Sequence, residues 1–155
     1  MSGVLVVSEH RRGQVLAVTH ELIAAALELG AAGAGGVTVL VVGSEATALA
    51  ASCGAEGVAE VVAVPTQNRE FEAHAAQAAV ATAVEQMGPN VVLCGHTPDS
   101  MGFAPALAAA AGLGFAANVI EVGWGDDGLT AARGVYGDRL VARLAFDRPS
   151  PVLMV

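Results

Sequence analysis

Short runs of apolar and β-branched residues alternate along this chain with longer stretches in which apolar positions recur every third or fourth residue. The runs Gly3–Ser8, Val37–Val42, Glu60–Val64 and Val91–Cys94 read as strands, and their near-continuous apolar character fits strands covered on both faces. Between them, Val15, Val18, Leu22, Ile23, Ala26 and Leu29 mark one buried face of a helix over Gln14–Leu29. Ser44 is placed to cap a short helix running to about Cys53, and Pro65 ends the third strand. Arg69–Met87 reads as the longest helix, with Phe71, Ala75, Ala78, Ala79, Thr82, Ala83 and Gln86 along its Ala-rich surface and Gly88-Pro89 as the stop. Strands alternating with helices in this order predict right-handed crossovers and a mostly parallel sheet with a helical layer on each side.

After Gly114 the pattern changes. Val119–Trp124, Leu129–Tyr136 and Leu140–Phe146 read as three short strands, joined by hairpin chemistry at Gly125-Asp126-Asp127-Gly128 and by Gly137-Asp138. In the last of them Leu140, Ala142, Leu144 and Phe146 alternate with Arg139, Val141, Arg143 and Ala145, the signature of a strand with one face buried. The expected architecture is therefore α/β, a mostly parallel sheet with antiparallel strands at the C-terminal end. The glycine-rich stretch Gly30–Gly36 follows a helix and precedes a strand, the reverse of the order in which a phosphate meets a helix N-terminus, so it reads as a flexible connection.

The stretch Val91–Pro105 is where chemistry is expected. The strand ends at Gly95, His96-Thr97-Pro98 forms a polar extended loop, and a helix then runs through Leu107 to Ala111, stopping near Gly112 and Gly114. Asp99 or Ser100 is positioned to cap that helix. Ligands of open α/β sheets sit beyond the carboxyl ends of the strands, which selects Ser8, Glu9, Gly95, His96, Thr97, Asp99 and Ser100 as the candidate crevice.

Composition narrows the reading. A chain of 155 residues is one ordinary domain, able to bury a core without disulfides or metal. The formal charge of −8, with all seven bases arginine, argues against nucleic acid, because phosphate neutralisation needs clustered cations. Cys53 and Cys94 lie in apolar surroundings and read as buried free thiols rather than a disulfide. Met1-Ser2-Gly3 lacks a basic leader, and the longest apolar tract, Ala104–Ala117, is broken by Pro and Gly and too short to span a bilayer. A soluble, cytoplasmic chain without direct membrane insertion is expected.

Catalytic chemistry is thin. His20 and His74 fall on helices with no partner ligand at helical spacing, and Cys94 with His96 supplies two ligands where a zinc site needs more, so no metal site is expected. Ser100 with His96 lacks a nucleophile-elbow context, and capping explains Ser100 more simply. Asp99 could accept from a ribose, with capping as its simpler role. The loop Ser8–Gly13 has no serine-glycine phosphate cradle, and Glu9 opposes a phosphate unless Arg11 or Arg12 pairs with it. Four of the seven arginines, Arg133, Arg139, Arg143 and Arg148, lie in the tail. They read either as a solvated edge that discourages aggregation or as a face for an acidic or polar partner.

The opening Val4–His10, the segment Gly95–Gly114 with Asp99, Gly102, Pro105 and Ala108-Ala109, the following Asn118-Val119-Ile120-Glu121, and Arg133–Gly137 together resemble the N-terminal domain of the electron-transfer flavoprotein alpha subunit. The similarity runs in register over essentially the whole chain, and the order and spacing of the motifs carry it more than any single one. The resemblance implies a three-layer adenine-nucleotide α-hydrolase-like (Rossmann-type) domain over residues 1–155. It implies a non-enzymatic role: pairing with a beta subunit, with FAD in the complete heterodimer and AMP in the beta subunit, and electrons passing from dehydrogenases to an acceptor such as a membrane quinone reductase. Arg133, Tyr136, Arg139 and Arg143 become candidate interface residues. Alpha subunits of the family continue into a second domain that carries most of their FAD contacts, and this chain stops about where it would begin. Relatives often carry a basic residue near Gly102 and an Arg after the equivalent of Pro105, where this chain has Phe103 and Ala106. Tight FAD binding by this chain alone is therefore not expected. The alternative is a free-standing adenine-nucleotide-binding or universal-stress-type module, although the loop after the fourth strand lacks the spaced glycines of the ATP-binding stress proteins.

Overall fold

A computed structural model of the chain describes residues 3–155; the reading of Met1-Ser2 as leaderless lies outside them. β1 (Gly3–Val7) is followed by a small hairpin, β2 (His10–Arg11) and β3 (Gln14–Val15), and then by α1 (Ala17–Leu29). The helix expected from Gln14 thus starts at Ala17. Arg12 (φ 51) and Gly13 (φ 73) are both left-handed, the requirement of a tight primed hairpin turn, and the Leu16 amide is taken by the Glu9 carbonyl at 2.9 Å. β4 (Gly36–Val42), α2 (Ala46–Cys53), β5 (Val58–Val64) and α3 (Ala73–Met87) follow, then β6 (Val91–Cys94).

Several boundaries shift for identifiable reasons. Ser44 does not cap α2: Glu45 holds the N-cap position without a side-chain bond, and the Ala46 amide donates to the Gly43 carbonyl at 3.1 Å. β5 begins at Val58 rather than Glu60. Residues 69–72 are not helical, because Asn68 Nδ2 donates to Glu72 Oε1 at 2.7 Å and Glu72 stays extended, leaving Phe71 in a loop. The single helix expected after Thr97 is two, α4 (Pro98–Met101) and α5 (Ala104–Ala111). Pro105 has no amide to continue the ladder, so the chain breaks at Gly102-Phe103 and restarts with Pro in the first turn.

The chain then forms β7 (Phe115–Ala116), β8 (Val119–Gly125), β9 (Gly128–Val135), β10 (Leu140–Ala145) and β11 (Val152–Met154). Neither β7 nor β11 was legible in the sequence, and both belong to the central sheet. Its six strands run in the order β5-β4-β1-β6-β11-β7 with every pairing parallel. The antiparallel strands stand apart as a separate three-stranded sheet, β10-β9-β8. On one face of the central sheet Val4, Val6, Val39, Leu93 and Leu153 pack with α1, α2 and the small sheet. On the other, Leu5, Val7, Leu40, Val92 and Met154 pack with α3 and α5. Successive strand residues thus serve opposite layers, which is why the strands are apolar throughout.

The glycine-rich stretch takes up a defined conformation between α1 and β4. Gly30–Ala34 continues from the end of α1 with a kink at Gly33, whose backbone is non-helical (φ 109), the Ala34 carbonyl accepts Asn90 Nδ2 at 2.9 Å, and Ala34 is fully buried. A Cβ on Gly33 would lie 3.7 Å from Trp124 on β8, so this turn seats the small sheet. In β10 the expected inward positions Ala142 and Leu144 are half-buried, whereas Leu140, at the strand's start, is 59% exposed.

Because β11 fills the gap between β6 and β7, Leu153→Ala is expected to cost about 2–5 kcal/mol, read from the midpoint of urea denaturation. A loss below about 1 kcal/mol would show that β11 is not part of the folded core in solution.

Candidate functional site

The order of strands fixes where a site can form. From β1 the chain moves outward through β4 to β5, then returns to β6 on the other side of β1, so the switch point lies between the carboxyl ends of β1 and β6. One carboxylate joins those two ends. Thr97 Oγ1 donates to Glu9 Oε1 at 2.7 Å and Ser100 Oγ donates to the same oxygen at 3.0 Å. Glu9 is only 7% exposed, and Ser100 1%.

The backbone of Glu9 is clamped from behind. Its amide donates to Thr19 Oγ1 at 2.8 Å, while the Thr19 hydroxyl donates to the Glu9 carbonyl at 3.0 Å, and Thr19 is fully buried on the first turn of α1. Gly95 must lack a side chain, since a Cβ there would approach Glu9 Oε1 and Val18 Cγ2 to 2.8 Å each. Thr97, not Asp99 or Ser100, caps α4: its hydroxyl accepts the Ser100 amide at 3.3 Å while donating to Glu9. Pro98 holds Thr97 extended for this.

In front of Glu9 lies a cavity of about 710 Å³. Ser8, Glu9, Asp99 and Ser100 of the expected crevice line it; Gly95 and Thr97 stand behind the Glu9 carboxylate, and His96 is not in the lining. His96 Nδ1 instead accepts the Asn118 amide at 3.2 Å, beside the small sheet, and makes no hydrogen bond to Ser100 among the described residues. No three His, Cys, Asp or Glu side chains among the described residues cluster as metal ligands.

Two walls escaped the sequence. The β2-β3 hairpin contributes His10, whose Nε2 donates to the Val42 carbonyl at 2.8 Å while its ring covers Gly43. The loop after β5 contributes Thr66, Arg69, Glu70, Phe71 and Glu72. The available signal for that loop was Asn68, a turn-former just ahead of the helix. Phe71 is 46% exposed, its ring centroid 6.4 Å from that of Phe103, which is buried.

The charge of the lining is acid-rich. Glu9, Glu45, Glu70, Glu72 and Asp99 outnumber Arg11, Arg12 and Arg69. Arg11 pairs with Asp99 at 3.5 Å rather than with Glu9, and no guanidinium reaches Glu9 among the described residues. Glu45 also occupies the N-terminus of α2, where a phosphate would otherwise be held. This donor set does not fit the diphosphate of a flavin or adenine dinucleotide.

A model of the electron transfer flavoprotein domain matches residues 4–155. The chain belongs to the electron transfer flavoprotein domain family. It is similar to the electron transfer flavoprotein subunit alpha of Methylophilus methylotrophus, 37% identical over 154 residues, covering 99% of this chain and 48% of that protein. The chain thus spans about half the length of this curated relative. The Rossmann-like α/β fold expected for the family is the one observed, with the antiparallel strands gathered into their own sheet.

The candidate interface residues of this family member do not share one face. Arg133 pairs in register with Ala142, and its Nε is buried with no partner among the described residues. Arg143 faces the opposite way, 3.6 Å from Glu121, while Tyr136 (79% exposed) and Arg139 sit at the turn between β9 and β10. No helix among the described residues is long and apolar enough to cross a membrane.

Both cysteines are free and buried. Burial pushes the Cys94 thiol up, with the negative charge of Glu9 adding to it; burial also raises Cys53, opposed by the Ser8 hydroxyl beside it. A raised thiol pKa lowers the thiolate fraction at pH 8, so both cysteines should resist iodoacetamide in the folded protein and react only in denaturant, as intact mass would show. Rapid alkylation of native Cys94 would contradict the packing. Thr19→Val removes both bonds to the Glu9 backbone at constant shape and should cost about 1–3 kcal/mol in chemical denaturation, whereas a neutral result would mean that water replaces the hydroxyl.

Proposed function

We propose that residues 1–155 act as one non-catalytic domain of an electron-transfer flavoprotein alpha subunit, pairing with a beta subunit and supporting flavin-mediated electron transfer from dehydrogenases to an acceptor. The observation that carries this reading is the similarity over 99% of the chain to one half of an alpha subunit. The acid-lined switch-point crevice agrees with it: a domain without a phosphate-gripping loop contributes by being held against other domains. FAD belongs to the complete complex in this reading and AMP to the beta subunit, with the complex in the cytoplasm.

The small sheet is the surface proposed to meet the beta subunit. It carries Ile120, Tyr136 and Val141 exposed at 61%, 79% and 57%, next to Arg139 and the Arg143–Glu121 pair. Large apolar side chains beside arginines are the usual makings of a protein interface. Arg133 lies on the opposite face of the sheet, in register with Ala142.

Mixed with an electron-transfer flavoprotein beta subunit, the chain should co-elute from size exclusion as a 1:1 complex, and Val141→Asp should weaken association at least about tenfold with the thermal midpoint unchanged. The 155-residue chain alone should carry no stoichiometric FAD or adenylate after purification. Failure to associate, together with tight adenylate binding by the isolated chain, would instead favour a free-standing nucleotide-binding module.

A further inference from the structure

The buried Glu9 is satisfied on one side only. Oε1 accepts both hydroxyl bonds, from Thr97 and Ser100, whereas Oε2 accepts none among the described residues, and Glu9 lines the cavity. The fully enclosed side-chain atoms without a partner among the described residues are Ser8 Oγ and Arg133 Nε, so Glu9 Oε2 keeps access to solvent and is free to accept. Arg11, Arg12 and Arg69 also line the cavity, but Arg11 pairs with Asp99 and none of the three pairs with Glu9 among the described residues.

We propose that this crevice binds a guanidinium or primary ammonium group, with Glu9 Oε2 as its acceptor and the Phe71 ring at the mouth. Three independent features support it. The carboxylate is preorganised, its backbone clamped by Thr19 and its Oε1 fixed by Thr97 and Ser100, so little freedom is lost on binding. The cavity of about 710 Å³ matches sites for small organic ligands, and an exposed aromatic face there attracts cations. The excess of carboxylates over guanidinium groups in the lining favours a cation and repels a phosphate. The group arrives either on a free amine or on an arginine side chain of a partner protein; the chemistry at Glu9 is the same for both.

Calorimetric titration with agmatine tests the site directly. Saturable 1:1 binding is expected. Glu9→Gln keeps an oxygen for Thr97 and Ser100 but removes the charge, and should weaken binding at least about tenfold. Phe71→Ala alters an exposed side chain outside the core and should weaken it about two- to fivefold, which keeps the test informative if the Glu9 variant folds poorly. Tighter binding of agmatine than of an acetyl-Gly-Arg-Gly-amide peptide identifies a free amine as the ligand, and the reverse order identifies a partner's arginine. Absence of saturable binding up to about 10 mM, equal binding by Glu9→Gln, or displacement of agmatine by AMP overturns the proposal.

Discussion

A single buried carboxylate holds the working end of this molecule together. Glu9 follows β1, Thr97 and Ser100 follow β6, and the point at which the chain reverses direction across the sheet is closed by the bonds between them. In an interior of low polarity such bonds are stronger than in water, and losing a partner from one of them is expensive. The arrangement also imposes its terms on its neighbours. Position 95 has no room for a side chain, Thr97 must cap α4 and serve Glu9 with one hydroxyl, and α1 must present Thr19 to the Glu9 backbone.

The same residue explains why a fold of nucleotide-binding type carries a crevice of a different character. A phosphate needs convergent N–H donors and positive potential at a helix N-terminus. Here Glu45 sits at the N-cap of the corresponding helix, Glu9 lines the crevice, and Arg11 is paired with Asp99. Shape has been kept while the electrostatics point the other way. Membership of the electron transfer flavoprotein domain family rests on the whole chain and does not require this crevice to hold a flavin.

Much of this was legible in the sequence, and what was not has physical causes. The apolar runs at Val4, Val37 and Val91 announced strands covered on both sides, and the rule for switch points led from them to Ser8, Glu9, Asp99 and Ser100 without structural knowledge. Thr97 as the cap was missed because three adjacent side chains could each cap, and only the reach to Glu9 decides among them. His96 was misleading: it lies at the right strand end but turns to Asn118 and the other sheet. The wall at Arg69–Glu72 was absorbed into a helical pattern, since four polar or aromatic residues ahead of an Ala-rich helix carry no periodicity of their own. β11 was invisible for the opposite reason: the four apolar residues after Pro151 are too few to distinguish a central strand from a tail.

That last strand bears on how the chain acquires its shape. β11 is inserted between β6 and β7 only after the whole antiparallel excursion of β8, β9 and β10 has been made. During synthesis, which runs from the N-terminus, β6 must therefore emerge with one edge bare and wait more than fifty residues for its neighbour. Pairing so distant in sequence is slow, and an unprotected parallel edge is the surface on which nascent chains stick to one another. The fold thus places its greatest exposure to misassembly in the interval before Val152 arrives.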